Sequence, residues 1–200
     1  ALAVAVVINS FSVVLMLYSG AGISTISGVP YAFSEVLTFF SLGTWTYLFQ
    51  AALVLTLMIL RRRFVLPYLL SFAVGFVFSE LLDVHELWIN VLPSSLAWRI
   101  VYFVISYVLI CIGIALSNRC QLPIVPTDLF PRELADIAKI AYPKIKIGFD
   151  VTCLAVTAGL TFFGLGRIDG LGIGTILGIA GDIIDKQFYF KSFMSKKQQA

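Results

Sequence analysis

Continuous apolar runs recur along the chain near 2–23, 43–60, 65–84, 96–117, 146–165 and 169–187. Each is close to the roughly 20 residues that cross about 30 Å of hydrocarbon at about 1.5 Å per residue. The runs are leucine-rich and lack the period of two that marks a lipid-facing barrel strand. The pattern therefore predicts an all-α integral membrane protein with six transmembrane helices. Composition agrees: 60% of side chains are hydrophobic, 12% are charged and the mean hydropathy is +0.97. Such a chain cannot clothe a water-facing surface, which excludes a soluble enzyme, a nucleic-acid binder and a disordered segment.

Charge then orients the spans. Twelve basic residues fall on one side, among them Arg61, Arg62, Arg63, Arg132, Lys139 and Lys146, and only Arg99 and Arg167 on the other. By the positive-inside rule both termini are expected in the cytoplasm, with Trp45, Trp88 and Trp98 at the opposite headgroup level. The first run lacks the basic leader and cleavage pattern of a secretion signal and reads as a span. Cys111 and Cys153 fall inside spans and Cys120 on the cytoplasmic side, a spacing that predicts neither disulfide nor metal site. His85, beside Asp83 and Glu86, is expected in an outer loop as a solvated residue. No nucleophile elbow, zinc motif or phosphate loop is present, so neither catalysis nor a cofactor is expected.

Laid against itself with a shift drifting from 96 to 102, the chain matches in order across most of its length. Ser10-Phe11 pairs with Ser106-Tyr107, Val29-Pro30 with Val125-Pro126, and Glu35-Val36-Leu37 with Glu133-Leu134-Ala135. Phe49-Gln50 pairs with Phe149-Asp150, and the run Ser79 to Asp83 with Gly181 to Asp185. The copies span 4–84 and 100–186, leaving 187–200 as a cytoplasmic tail. Three spans per copy force the second to enter from the opposite face, and inverted repeats are the architecture of many secondary transporters. A duplicated scaffold without a solute pathway is the plainer alternative.

Each copy has a proline-bearing connector. Residues 20–44 hold no Lys or Arg and one acid, so a re-entrant or interfacial segment packed on other helices is expected. Residues 118–145 are amphipathic: Pro131 suits a helix first turn, Leu134, Ile137, Ala138 and Ala141 form an apolar stripe, and Pro143 ends it. That helix is expected along the cytoplasmic surface, dipping inward near Pro123 and Pro126.

Polar groups in apolar helices are costly and mark function by default. Asp150 heads a stripe with Cys153, Thr157 and Thr161 at steps of three, four and four, and Gln50 is its counterpart. Snorkelling beside Lys146 is the competing reading of Asp150. Glu80 and Asp83 are expected to end the third helix, and Asp182 and Asp185 the sixth. There the macrodipole is already negative, so a cation, a proton or an opposing helix start must compensate. Asp150, Asp182, Gln50 and Glu80 are thus the candidate binding or coupling residues. Pro30, Glu35, Pro126, Asp128 and Glu133 are candidate gates in the connectors.

The segments VPTDLFPREL, IGFDVTCLAVTAGLTFFG and DGLGIGTILGIAGDIID resemble the YczE-like bacterial membrane proteins, of the YyaS and YitT group, as do SLGTWTYLFQ and the helix ending in SELLD. The resemblance implies a duplicated, multi-pass protein of the bacterial inner membrane, of unassigned activity and commonly taken for a transporter. Pro126-Thr127-Asp128 carries the family's proline-x-acid motif, whereas Pro30-Tyr31-Ala32 lacks the acid, which speaks against a symmetric two-carboxylate site. The expected function is a carrier for an unidentified small solute, ion or lipid-like molecule, with protonic coupling through the carboxylates. The rivals are a substrate-binding membrane subunit of an energy-coupling vitamin importer and a non-transporting scaffold. Expected partners are the bilayer, the solute, and either a second copy or a membrane subunit, with no nucleic acid.

Overall fold

The computed structural model describes residues 2–119, 125–172 and 175. These contain seven helices and no strand: α1 (Leu2–Ser19), α2 (Thr25–Val36), α3 (Leu42–Arg61), α4 (Leu66–Ile89), α5 (Leu96–Arg119), α6 (Pro126–Ala138) and α7 (Tyr142–Leu165). Five of them, α1, α3, α4, α5 and α7, are long and apolar enough to cross a membrane, as in a multi-pass membrane protein. Of the sixth expected span, Asp169–Gly172 is irregular chain and Thr175 is the last described residue. Asp182, Asp185 and the 187–200 tail lie outside the described residues, as do Cys120 and Pro123.

Local chemistry sets the helix ends. Ser41 has extended backbone and its hydroxyl accepts from Thr44 N at 3.1 Å, starting α3; Ser24 accepts from Ser27 N at 3.4 Å, starting α2. Prolines occupy the first turns of α4, α6 and α7, where the missing N–H would have had no partner. Pro143 therefore opens α7 instead of closing the preceding helix, which stops at the left-handed Lys139, and Pro131 stands inside α6 and not in its first turn. Phe130, Leu134, Ile137 and Ala135 form the buried side of α6, while Ala138 and Ala141 are exposed. That helix packs against α3, α7 and α4.

The third expected span also runs further than its apolar stretch suggests, to Ile89, so Glu80, Asp83 and His85 are helical. His85 is not in a loop; it packs on Phe11 and Trp88, with ring centroids at 5.4 and 6.0 Å. Asp83 does not end α4. It receives Gly43 N at Oδ1 and the Ser41 hydroxyl at Oδ2, each at 2.6 Å, so an opposing helix start compensates its charge. Asp83→Ala is expected to lower stability by about 1 to 2 kcal/mol. Glu80→Ala, on the exposed face of the same helix, should change it by less than about 0.5 kcal/mol. Thermal unfolding in detergent separates the two.

Packing is pairwise. α1 lies on α5 and α4 around Val14, Leu15, Leu82, Ile89 and Tyr102. Ser10 and Ser106 are fully buried in that contact, and each hydroxyl donates to its own helix, to Val7 O at 3.0 Å and Phe103 O at 2.8 Å, whereas Asn9 Oδ1, set against Gly113 in the same contact, has no hydrogen-bond partner. Trp45, Trp88 and Trp98 stand at helix ends that share one end of the bundle, joined by the Tyr18 hydroxyl to Leu92 O at 2.6 Å. Arg61 and α6 share the other. We call these the aromatic and the basic end.

Candidate functional site

Asp150, Cys153, Thr157 and Thr161 form one stripe on α7, and all four are buried. What covers them is α2. The Thr25 hydroxyl, in the first turn of α2, donates to Asp150 Oδ1 at 3.0 Å. Ile26 and Val29 pack on Cys153, Gly28 lies so close to Thr157 that a Cβ there would stand 3.0 Å from Oγ1, and Val36 closes on Gly164. The two helices therefore run side by side in the same chain direction, with the first turn of α2 deep in the bundle. Asp150 is the ninth residue of α7 and 1% exposed. Its other oxygen accepts from Lys146 Nζ at 2.6 Å, one turn earlier. The positive pole of α2 and the Lys146 ammonium together hold this carboxylate in apolar surroundings.

A matching arrangement lies on α3. Gln50 is fully buried, and neither its Oε1 nor its Nε2 has a hydrogen-bond partner. Its amide occupies the space a side chain on Gly75 of α4 would need, and Pro126, first residue of α6, borders the same space. From there α6 runs along α3: Phe130 packs with Leu53, Val54, Leu57 and Tyr68, and Arg61 bridges Glu133 at 2.6 Å and Asp136 at 2.9 Å. The Tyr68 hydroxyl also donates to Glu133. Phe49 and Phe149, which precede Gln50 and Asp150, pack into the same two apolar clusters.

The structure thus places Asp150 and Gln50 alike, each beside the first turn of a short helix. Among the expected connector residues, Pro30 is buried inside α2, Glu35 is exposed near its end, Asp128 is in the first turn of α6 and Glu133 is ion-paired. Glu80 is not brought to the centre: it stands on an exposed face of α4, because the extra turns of that helix carry Asp83 to the start of α3. Sequence reasoning missed Arg61 and Tyr68 as partners of Glu133. It also missed a clasp at the aromatic end, where Ile23 N donates to Gly170 O at 2.9 Å and the Thr175 hydroxyl to Ile23 O at 2.6 Å. The glycines of Gly20-Ala21-Gly22 and Gly170-Leu171-Gly172 were its available signal, because Gly22 and Gly172 approach too closely for any side chain. Among the described residues no group of His, Cys, Asp and Glu could hold a metal ion.

A sequence profile described as a family of unknown function (DUF6198) matches residues 1–184. The chain belongs to that family. The DUF6198 match runs through both short helices and both buried polar positions, so the whole arrangement lies within the shared region. Neither the curated proteins nor the solved structures contain a match to this DUF6198 chain.

Proposed function

We propose that the chain is a carrier for a small polar solute, built as two inverted halves with α2 and α6 as short helices entering from opposite faces. The observation that carries this reading is a reciprocal exchange: α2 of the first half begins at Asp150 of the second, and α6 of the second half begins beside Gln50 of the first. Gln50 and Asp150 are paired positions of the internal repeat, as are the buried Ser10 and Ser106. Such an exchange lets either side open alone. Withdrawing α2 frees Asp150 from Thr25 towards the aromatic end; withdrawing α6 breaks the Arg61, Tyr68 and Glu133 contacts and uncovers Gln50 towards the basic end. Asp150 is the coupling group, because a solute or proton can replace Lys146 as its partner. The charge bias supports a cytoplasmic basic end, and the YczE-like resemblance supports a bacterial inner membrane as the location.

The test is pH-driven uptake of labelled amino acids, monocarboxylates and amines into proteoliposomes. At least one probe should accumulate, and Asp150→Asn should reduce that flux about a hundredfold or more without loss of protein from the vesicles. Undiminished flux in the variant removes Asp150 from the mechanism, and no flux with any probe contradicts the carrier reading.

A further inference from the structure

The two ends of the bundle fill their left-handed backbone positions differently. α1 and α7 are followed at the aromatic end by Gly20 and Gly166, with φ of +72° and +69°, where glycine has no Cβ to strain. At the basic end α3 and α6 stop on Arg62 and Lys139, with φ of +50° and +54°. Among the described residues these two are the only non-glycine residues with positive φ. Each side chain is held there against a backbone preference that glycine would satisfy.

Partners within the fold do not account for these cations. Arg61 is committed to Glu133 and Asp136, whereas Arg62, Arg63, Lys139 and Lys144 are exposed and make no ion pair or side-chain hydrogen bond among the described residues. The negative pole of a helix end attracts a cation, but in α3 the last-turn Arg61 already meets that need. The bridge from Arg61 to Asp136 sets the turn after α3 alongside the turn after α6, because Lys139 N donates to Asp136 O at 3.4 Å. Apolar surface adjoins the charge: Phe64 is 73% exposed and Leu66 59%, and both lie where α3 passes into α4. Those two helices are long and apolar enough to cross a membrane, so cations and apolar side chains meet at the rim of the hydrocarbon.

A soluble anion would use the charges and leave Phe64 and Leu66 uncovered. A lipid with a choline headgroup would bring a cation of its own against the four already there. We propose that this surface docks an anionic phospholipid, its phosphodiester on Arg62 and Arg63 and its acyl chains on Phe64 and Leu66, with Lys139 and Lys144 adding to the attraction. The proposal concerns binding and does not depend on the carrier reading.

Thermal unfolding and native mass spectrometry of the purified full chain in neutral detergent test it. Phosphatidylglycerol should raise the thermal midpoint and stay bound; phosphatidylcholine with the same chains, and glycerol phosphate, should do neither at the same concentration. The shift should fade as salt rises from about 0.1 M to about 1 M. Arg62→Gly combined with Lys139→Gly removes both cations and the backbone strain, so the midpoint without lipid should hold or rise while affinity for phosphatidylglycerol falls about tenfold or more. Arg63→Gln should weaken that affinity several-fold, and Arg99→Gln, at the aromatic end, should leave it unchanged. Equal stabilisation by phosphatidylcholine would make the surface merely apolar, and equal stabilisation by glycerol phosphate would make it a soluble-anion site; either overturns the proposal. So does an unaltered phosphatidylglycerol response in the double variant, which would leave Arg62 and Lys139 as helix caps alone. If the double variant fails to fold, unaltered affinity in Arg63→Gln overturns it in the same way.

Discussion

Asp150→Ala is expected to lower stability by about 3 to 5 kcal/mol, which is enough to unfold a marginal membrane protein in detergent. The loss comes from what remains. Lys146 Nζ, whose side chain is 16% exposed, would keep its charge in apolar surroundings without the carboxylate at 2.6 Å, and the Thr25 hydroxyl would lose its acceptor. Removing both charges is a different case, because an apolar pair of similar volume replaces a buried ion pair at little net cost. Lys146→Met with Asp150→Leu should therefore recover most of the thermal midpoint lost by Asp150→Ala. If Asp150 acts in coupling, the double variant remains inactive although folded. A single variant as stable as the parent would mean that the carboxylate is hydrated and not held as described.

Gly43→Ala should cost about 1 to 3 kcal/mol, as an overpacked contact does. The new Cβ would stand 2.3 Å from the Ser79 carbonyl oxygen and 2.6 Å from Asp83 Cγ, and a backbone carbonyl cannot swing away as a side-chain tip can. Relief requires α3 and α4 to separate, and separation breaks the bonds from Gly43 N and Ser41 to Asp83. The control is Gly148→Ala in α7, where a Cβ meets nothing within 4 Å and removing a helical glycine gains up to about 1 kcal/mol. Opposite shifts of the thermal midpoint in the two variants would locate the effect in helix contact and not in helix propensity.

The strong periodic signals were legible in the chain. Five apolar runs became helices, the stripe headed by Asp150 is a buried face, and the oddly apolar 20–44 connector holds a helix packed inside the bundle. Helix ends were harder to read. Hydropathy falls at Glu80 and Asp83, so the apolar run stops there, but a helix continues while its polar groups find partners, and the start of α3 supplies one for Asp83. Pro143 reads equally as a stop or a start, and only the left-handed turn at Lys139 decides it. The partners across the fold were not legible at all. Nothing in the spacing of Arg61 and Glu133, or of Ile23 and Thr175, announces contact, because each pair joins elements far apart along the chain.

Two inverted halves require that the turn between α2 and α3 and the turn between α6 and α7 lie on opposite sides of the membrane. Single cysteines at Phe39 and Ile140, both exposed, report this when Cys111, Cys120 and Cys153 have been replaced by serine. A membrane-impermeant maleimide should label Phe39→Cys from the outside of intact cells and Ile140→Cys only in inside-out vesicles. Labelling of both from the same side would show that the halves enter with the same polarity, and the account of an inverted carrier would be wrong.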